Sequence, residues 1–101
     1  MSAQEVYAAL RERDDLRNVT LTAPLDLTHE ALHARPGSSA QRTILFDHVN
    51  FAHGLQAKRG DEVVPHLVFR EAEVQSIGAQ NVNWRGKVTF EGGGDSRLGR
   101  F

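Results

Sequence analysis

The sequence predicts a mainly β domain: a short N-terminal helix capping a small solenoid of about two coils. Three observations predict it. The first residues carry one apolar stripe at helical spacing. From residue 18 onward, apolar residues instead come in pairs separated by a single residue. In LVFREAEVQSIGAQNVNWRG (67 to 86) those pairs recur every five residues. Five is neither the period of a flat strand nor that of a helix. It fits two inward residues on a short wall, a corner of about three, and then the next wall. Walls that keep turning the same way make a coil, and coils can stack at the ~4.8 Å spacing of strands.

The helix is read over residues 1 to 16. Ser2 and Glu5 have capping-box spacing, in which each side chain satisfies a backbone donor of the other. Val6 and Leu10, with Tyr7 and Ala3, form the stripe, and Asp14 and Asp15 end it. So short a helix is marginal alone and needs a surface to dock on. The open end of the following β-structure is the expected one.

The pairs that follow are Val19/Leu21, Leu25/Leu27, Ile44/Phe46, Val49/Phe51, Leu67/Phe69, Ala72/Val74, Ile77/Ala79, Val82/Trp84 and Val88/Phe90. Residues two apart in an extended segment share a side. The expected structural core is therefore Leu21, Leu27, Phe46, Phe51, Phe69, Val74, Trp84 and Phe90. The pairs at 19 to 27 and 44 to 51 are expected to form one coil, and 67 to 86 a second. Val88/Phe90 would open a third. Segments 30 to 42 and 55 to 66 read as loops, and 93 to 101, after three consecutive glycines, as a flexible tail.

The units LDLTH (25 to 29), VNFAH (49 to 53) and VNWRG (82 to 86), with AEVQS (72 to 76), resemble the pentapeptide-repeat family. That resemblance implies a right-handed, four-sided β-helix with one unit per wall. It assigns Leu27, Phe51, Phe69, Val74 and Trp84 to the central inward position, and Leu25, Val49, Ala72 and Val82 to the flanking one. The chain departs from the pattern in its large flanking residues and in the two interrupting segments. The alternative fold is a small antiparallel β-sandwich or α+β domain.

Composition narrows the function classes. The chain of 101 residues is one domain in size, with twelve basic residues against thirteen acidic ones and neither sign concentrated. That balance speaks against nucleic-acid binding and against mimicry of a nucleic-acid surface. There is no cysteine, which removes disulfides, thiolate nucleophiles and cysteine zinc sites. No apolar run approaches ~20 residues, so no membrane span is expected, and the charged N-terminus does not fit a secretory signal. A cytoplasmic protein is the expectation.

One motif offers chemistry. His29-Glu30-Ala31-Leu32-His33 matches H-E-x-x-H, in which two histidines one helical turn apart hold zinc and the glutamate activates its water. Thr28 would cap such a turn. However, Pro36 and Gly37 stop any helix just beyond His33. A third ligand would have to come from Asp47, Glu62, Glu71 or Glu73. The leading expectation is thus a non-catalytic protein-protein interaction or scaffold module without cofactor. It would self-associate or join a larger assembly through its open β-helix end. The alternative is a minimal zinc hydrolase or peptidase with His29 and His33 as ligands and Glu30 as general base. His48, His53 and His66, the serines at 2, 38, 39, 76 and 96, and the Arg59-Gly60-Asp61 turn form no catalytic or binding motif.

Overall fold

The computed structural model describes residues 1 to 33, 42 to 78 and 81 to 91. It is mainly strand with one α-helix. Helix α1 (Ala3–Glu12) opens with the expected capping box: the Glu5 amide donates to the Ser2 hydroxyl, and the Ser2 amide to the Glu5 carboxylate. Val6, Tyr7 and Leu10 are buried along its inner face. The helix is shorter than the sequence suggests. Arg13 already has extended dihedrals, and Asp15 begins a strand instead of trailing the helix.

The strands are short and fall into successive passes. The first holds β1 (Asp15–Arg17), β2 (Thr20–Leu21) and β3 (Leu25–Asp26). The second holds β4 (Thr43–Asp47), β5 (Asn50–Phe51), β6 (Leu55–Gln56) and β7 (Glu62–Val63). The third holds β8 (His66–Arg70), β9 (Glu73–Val74), β10 (Ile77–Gly78) and β11 (Asn83–Trp84), and β12 (Val88–Glu91) follows. These build four parallel sheets, ordered β1-β4-β8-β12, β2-β5-β9, β3-β6-β10 and β7-β11. The chain visits them in the same order on each pass.

Register explains the core. Leu16, Phe46, Phe69 and Phe90 lie in one column, and Leu21, Phe51 and Val74 in the next; Leu25, Leu55 and Ile77 form a third. The step of five is the distance from the first column to the second: Leu16 to Leu21, Phe46 to Phe51, Phe69 to Val74. Leu21, Leu27, Phe46, Phe51, Phe69 and Val74 are buried, whereas Trp84 is only partly so. Phe90 departs from the expected core. It sits on the outermost described strand, stacks on Phe69 at 5.1 Å between ring centres, and remains 39% exposed.

Three further expectations are corrected. The pairs at 19 to 27 and 44 to 51 are not walls of one coil: Leu21 lies over Phe51 and Leu25 over Leu55, so they belong to successive passes. Segment 55 to 66 is not a loop, because it supplies β6 and β7 with buried Leu55 and Val63. Within 30 to 42, Glu30–Leu32 form a 3-10 turn with buried Ala31 and Leu32, and Arg42 is buried. Ala79 and the tail 93 to 101 lie outside the described residues.

Corners are made by left-handed backbone. Asn18, His48 and Glu71 each follow a strand of the first sheet, with φ of 54°, 54° and 47°. At the next corner Gly54 has φ 81°, and a Cβ there would lie 2.5 Å from the Ser76 hydroxyl oxygen. Only glycine satisfies both demands.

Candidate functional site

The H-E-x-x-H segment does not form a helical turn. His29, not Thr28, is the N-cap of the 3-10 turn, its Nδ1 accepting from the Ala31 amide, and His33 is the C-cap. Thr28 instead donates through its amide and hydroxyl to the Asp26 carboxylate (2.8 and 2.5 Å), and its hydroxyl oxygen accepts from the Lys58 amide. The His29 ring lies flat on Tyr7, with centres 3.7 Å apart and planes 4° from parallel. Tyr7 uses its hydroxyl to accept from the Asp26 amide, and burial raises its pKa. Glu30 is exposed and pairs with Arg11 at 3.1 Å, while the His33 Nε2 is buried without a hydrogen-bond partner among the described residues. The segment therefore fastens α1 to the first pass. The i to i+3 hydrogen bonds of a 3-10 turn separate the two imidazoles, which the zinc motif would need on one α-helical face.

The densest set of ionisable groups lies along the edge between the first two sheets. Arg17, Asp47, Arg70 and Glu91 occupy one outward column, alternating in sign from pass to pass. Arg17 donates to Asp47 at 2.8 Å, and Arg70 to Glu91 at 3.1 and 3.2 Å. Asp15 also accepts from Arg17, which holds its carboxyl below the usual range and raises the pKa of the guanidinium. Beside that column His48 bridges two passes, with Nδ1 2.7 Å from Asp47 and Nε2 2.5 Å from Glu71. His48 and Glu71, with Val49, Asn50 and Glu73, line a depression of about 220 Å³. A second groove, of about 320 Å³, runs over the third sheet past Asp26, Gln56, Ala57, Lys58 and Gly78.

Ionic pairs along this edge link neighbouring passes. Exposed pairs like these are individually worth ~0–1 kcal/mol, but left-handed backbone at Glu71 costs a side chain ~1–2 kcal/mol. Glu71→Asn is accordingly expected to leave stability within about 0.5 kcal/mol of the parent, since asparagine tolerates that backbone. Glu71→Val should cost more than about 1 kcal/mol, because β-branching does not tolerate it. Urea midpoints of the two variants check this.

The remaining sequence candidates are dispersed. His66 begins β8 and accepts from the Lys87 amide through Nδ1; His53 is exposed on a turn. Arg59-Gly60-Asp61 is an exposed turn with Gly60 at φ 80°. Ser2 is spent on the helix cap and Ser76 lies against Gly54, while Ser38, Ser39 and Ser96 lie outside the described residues. Asp47, Glu62, Glu71 and Glu73 do not converge with His29 and His33: among the described residues no three histidine or acidic side chains form a metal-holding group.

Sequence reasoning missed Arg42, the buried guanidinium that joins α1 to β4. It also missed Leu16, Leu55 and Val63, although Leu16 lies five residues before Leu21, and Leu55/Ala57 repeats the pair signature.

The end of the stack opposite α1 is the other feature of note. Val82, Trp84, Val88 and Ile77 are only partly buried there. At the α1 end, by contrast, the apolar face of the helix covers the first pass, and Met1 hydrogen-bonds Thr20 and Thr22. No family model, curated protein or solved structure matches this chain.

Proposed function

We propose that this chain is a non-catalytic interaction module: a short, right-handed, four-sided β-helix of the pentapeptide-repeat kind, capped at one end by α1. It associates through the other end, first with a second copy of itself. The observation that carries this reading is the asymmetry of the two ends. Four parallel sheets traversed in fixed order stack apolar columns along one axis. α1 covers the columns where they begin, and partly buried Trp84 and Val88 with exposed Phe90 stand where they leave the described residues. Apolar surface of this kind marks interaction sites.

The uses made of the histidines support the same reading. His29 caps a turn, His48 bridges corners and His66 accepts a main-chain amide. Each holds backbone or charge in place. Among the described residues, no helix is long and apolar enough to cross a membrane.

Sedimentation equilibrium over a dilution series tests the proposal. Reversible association above the mass of one chain is expected at sub-millimolar concentration. A folded chain that stays monomeric throughout would remove the self-association part of the proposal.

A further inference from the structure

We propose that His48 is a proton-dependent staple between the second and third passes, closed when its imidazole is charged and released when it is neutral. The ring sits between carboxylates of two different passes: Nδ1 lies 2.7 Å from Oδ1 of Asp47, and Nε2 lies 2.5 Å from Oε2 of Glu71. An ionised carboxylate only accepts, so each contact asks for a proton on the nitrogen that faces it. A neutral imidazole carries one such proton and the imidazolium carries two. Only the charged ring serves both contacts; the neutral ring turns a lone pair toward one of the two oxygens. Left-handed backbone at His48 and at Glu71 brings these groups to one corner. The His48 amide donates to the Arg70 carbonyl, which holds the residue over the third pass.

The surrounding charges favour the same state. Asp47 gives its other oxygen, Oδ2, to Arg17 of β1, and Arg70 of β8 donates to Glu91. Glu73 of β9 lines the depression beside His48 together with Glu71 and Asn50. The ring is therefore faced by carboxylates, and both guanidiniums of the neighbouring column already hold one. His29 and His66 differ in kind. Each accepts a main-chain amide through Nδ1, from Ala31 and Lys87, and needs an unprotonated nitrogen there. Acid works against those two contacts and in favour of the one at His48. The unfolded chain repeats neither contact of His48. Its contribution is thus complete below the ~6.5 at which a free histidine titrates, and is lost as rising pH removes the proton of the folded ring.

A double-mutant cycle read at two pH values tests the staple. Its members are the parent, His48→Asn, Glu71→Gln and the double variant, all at one protein concentration. Asparagine suits the corner, as Asn18 does at the same φ one pass earlier, and glutamine keeps the length of Glu71. Both side chains are about half exposed, so all four chains are expected to fold. Backbone preference does not depend on pH and drops out between the two conditions, as do the contacts of His29 and His66. At pH 5.5 the urea midpoints should show a favourable coupling between His48 and Glu71 of about 0.3 M, the scale of an exposed ion pair. At pH 8 that coupling should vanish. Equal coupling at both pH values would overturn the proposal, because the contact would then not need the second proton. Absence of coupling at pH 5.5 would overturn it as well, since the two side chains would not hold one another in solution.

Discussion

Phe69→Ala is expected to lower the unfolding free energy by about 3–5 kcal/mol, the usual range for deleting a buried phenylalanine. The position is the middle of an aromatic column. Phe46 stacks on one side at 5.2 Å and Phe90 on the other at 5.1 Å, and Phe51 meets the ring edge-on at 5.7 Å. Only 1% of the residue is exposed. Each pass is only one strand thick, so neighbouring passes cannot easily collapse into the hole without breaking the ladder hydrogen bonds that join β8 to β4 and β12. A domain of this size has ~5–15 kcal/mol in total, and the variant should stand near the edge of stability. Phe69→Asp goes further: an unpaired carboxylate in that column has no donor, and cooperative unfolding should be lost. Phe90→Ala serves as the internal control. The residue is 39% exposed, so removal of its ring should cost about 1 kcal/mol. Urea titrations followed by Trp84 fluorescence check the order. Equal losses at Phe69 and Phe90 would mean that the column does not carry the fold.

How much of this was legible in the sequence follows from which forces are local. The five-residue step was visible because a short strand, its corner and the next strand are contiguous, and Phe46, Phe51, Phe69 and Val74 carry it in apolar side chains. The capping box was visible for the same reason. Which pass lies over which was not. Stacking Leu25 on Leu55 depends on how much chain the corners and inserts consume, and nothing local to either residue records that. The same gap hid β6 and β7, whose apolar residues are bracketed by Gly54, Gly60 and a charged turn that read as loop. At the H-E-x-x-H segment the pattern misled for a physical reason. Pro36 and Gly37 leave too little helix-forming sequence after His33, so the segment takes a tighter turn. Once turned, its histidine ring is held by Tyr7, a residue of the distant stripe whose partner the sequence did not name.

The second large effect is expected at Arg42. Its side chain is 5% exposed and reaches α1, the residues just after it and the 3-10 turn. Nε donates to Asp14 at 2.6 Å and Nη1 to the Ala31 carbonyl at 2.7 Å. Nη2 donates to the Arg13 carbonyl at 2.5 Å and to that of Leu10. Carbonyls in the last turn of a helix have no partner within it, so Arg42, the residue before β4, supplies what α1 lacks, and its charge suits the negative end of the helix dipole. Replacing a buried ion pair by apolar groups can be neutral, which makes Arg42→Met the informative variant. Methionine fills much of the volume, but the main-chain acceptors at Leu10, Arg13 and Ala31 stay where they were and lose their donors. Each acceptor left without a partner costs ~1–3 kcal/mol, partly relieved where water can enter beside exposed Arg13. A net loss of about 3 kcal/mol is expected. Asp14→Asn should cost less, ~1 kcal/mol or below, because that carboxylate is half exposed. Hydrogen exchange separates a local from a global effect. If Arg42 is the clamp, Arg42→Met should accelerate exchange at the α1 amides more than at those of β8, since the helix would lift from a stack that persists. Uniform acceleration would make Arg42 a member of the general core, and no acceleration at all would show that α1 is held by Val6, Tyr7 and Leu10 alone.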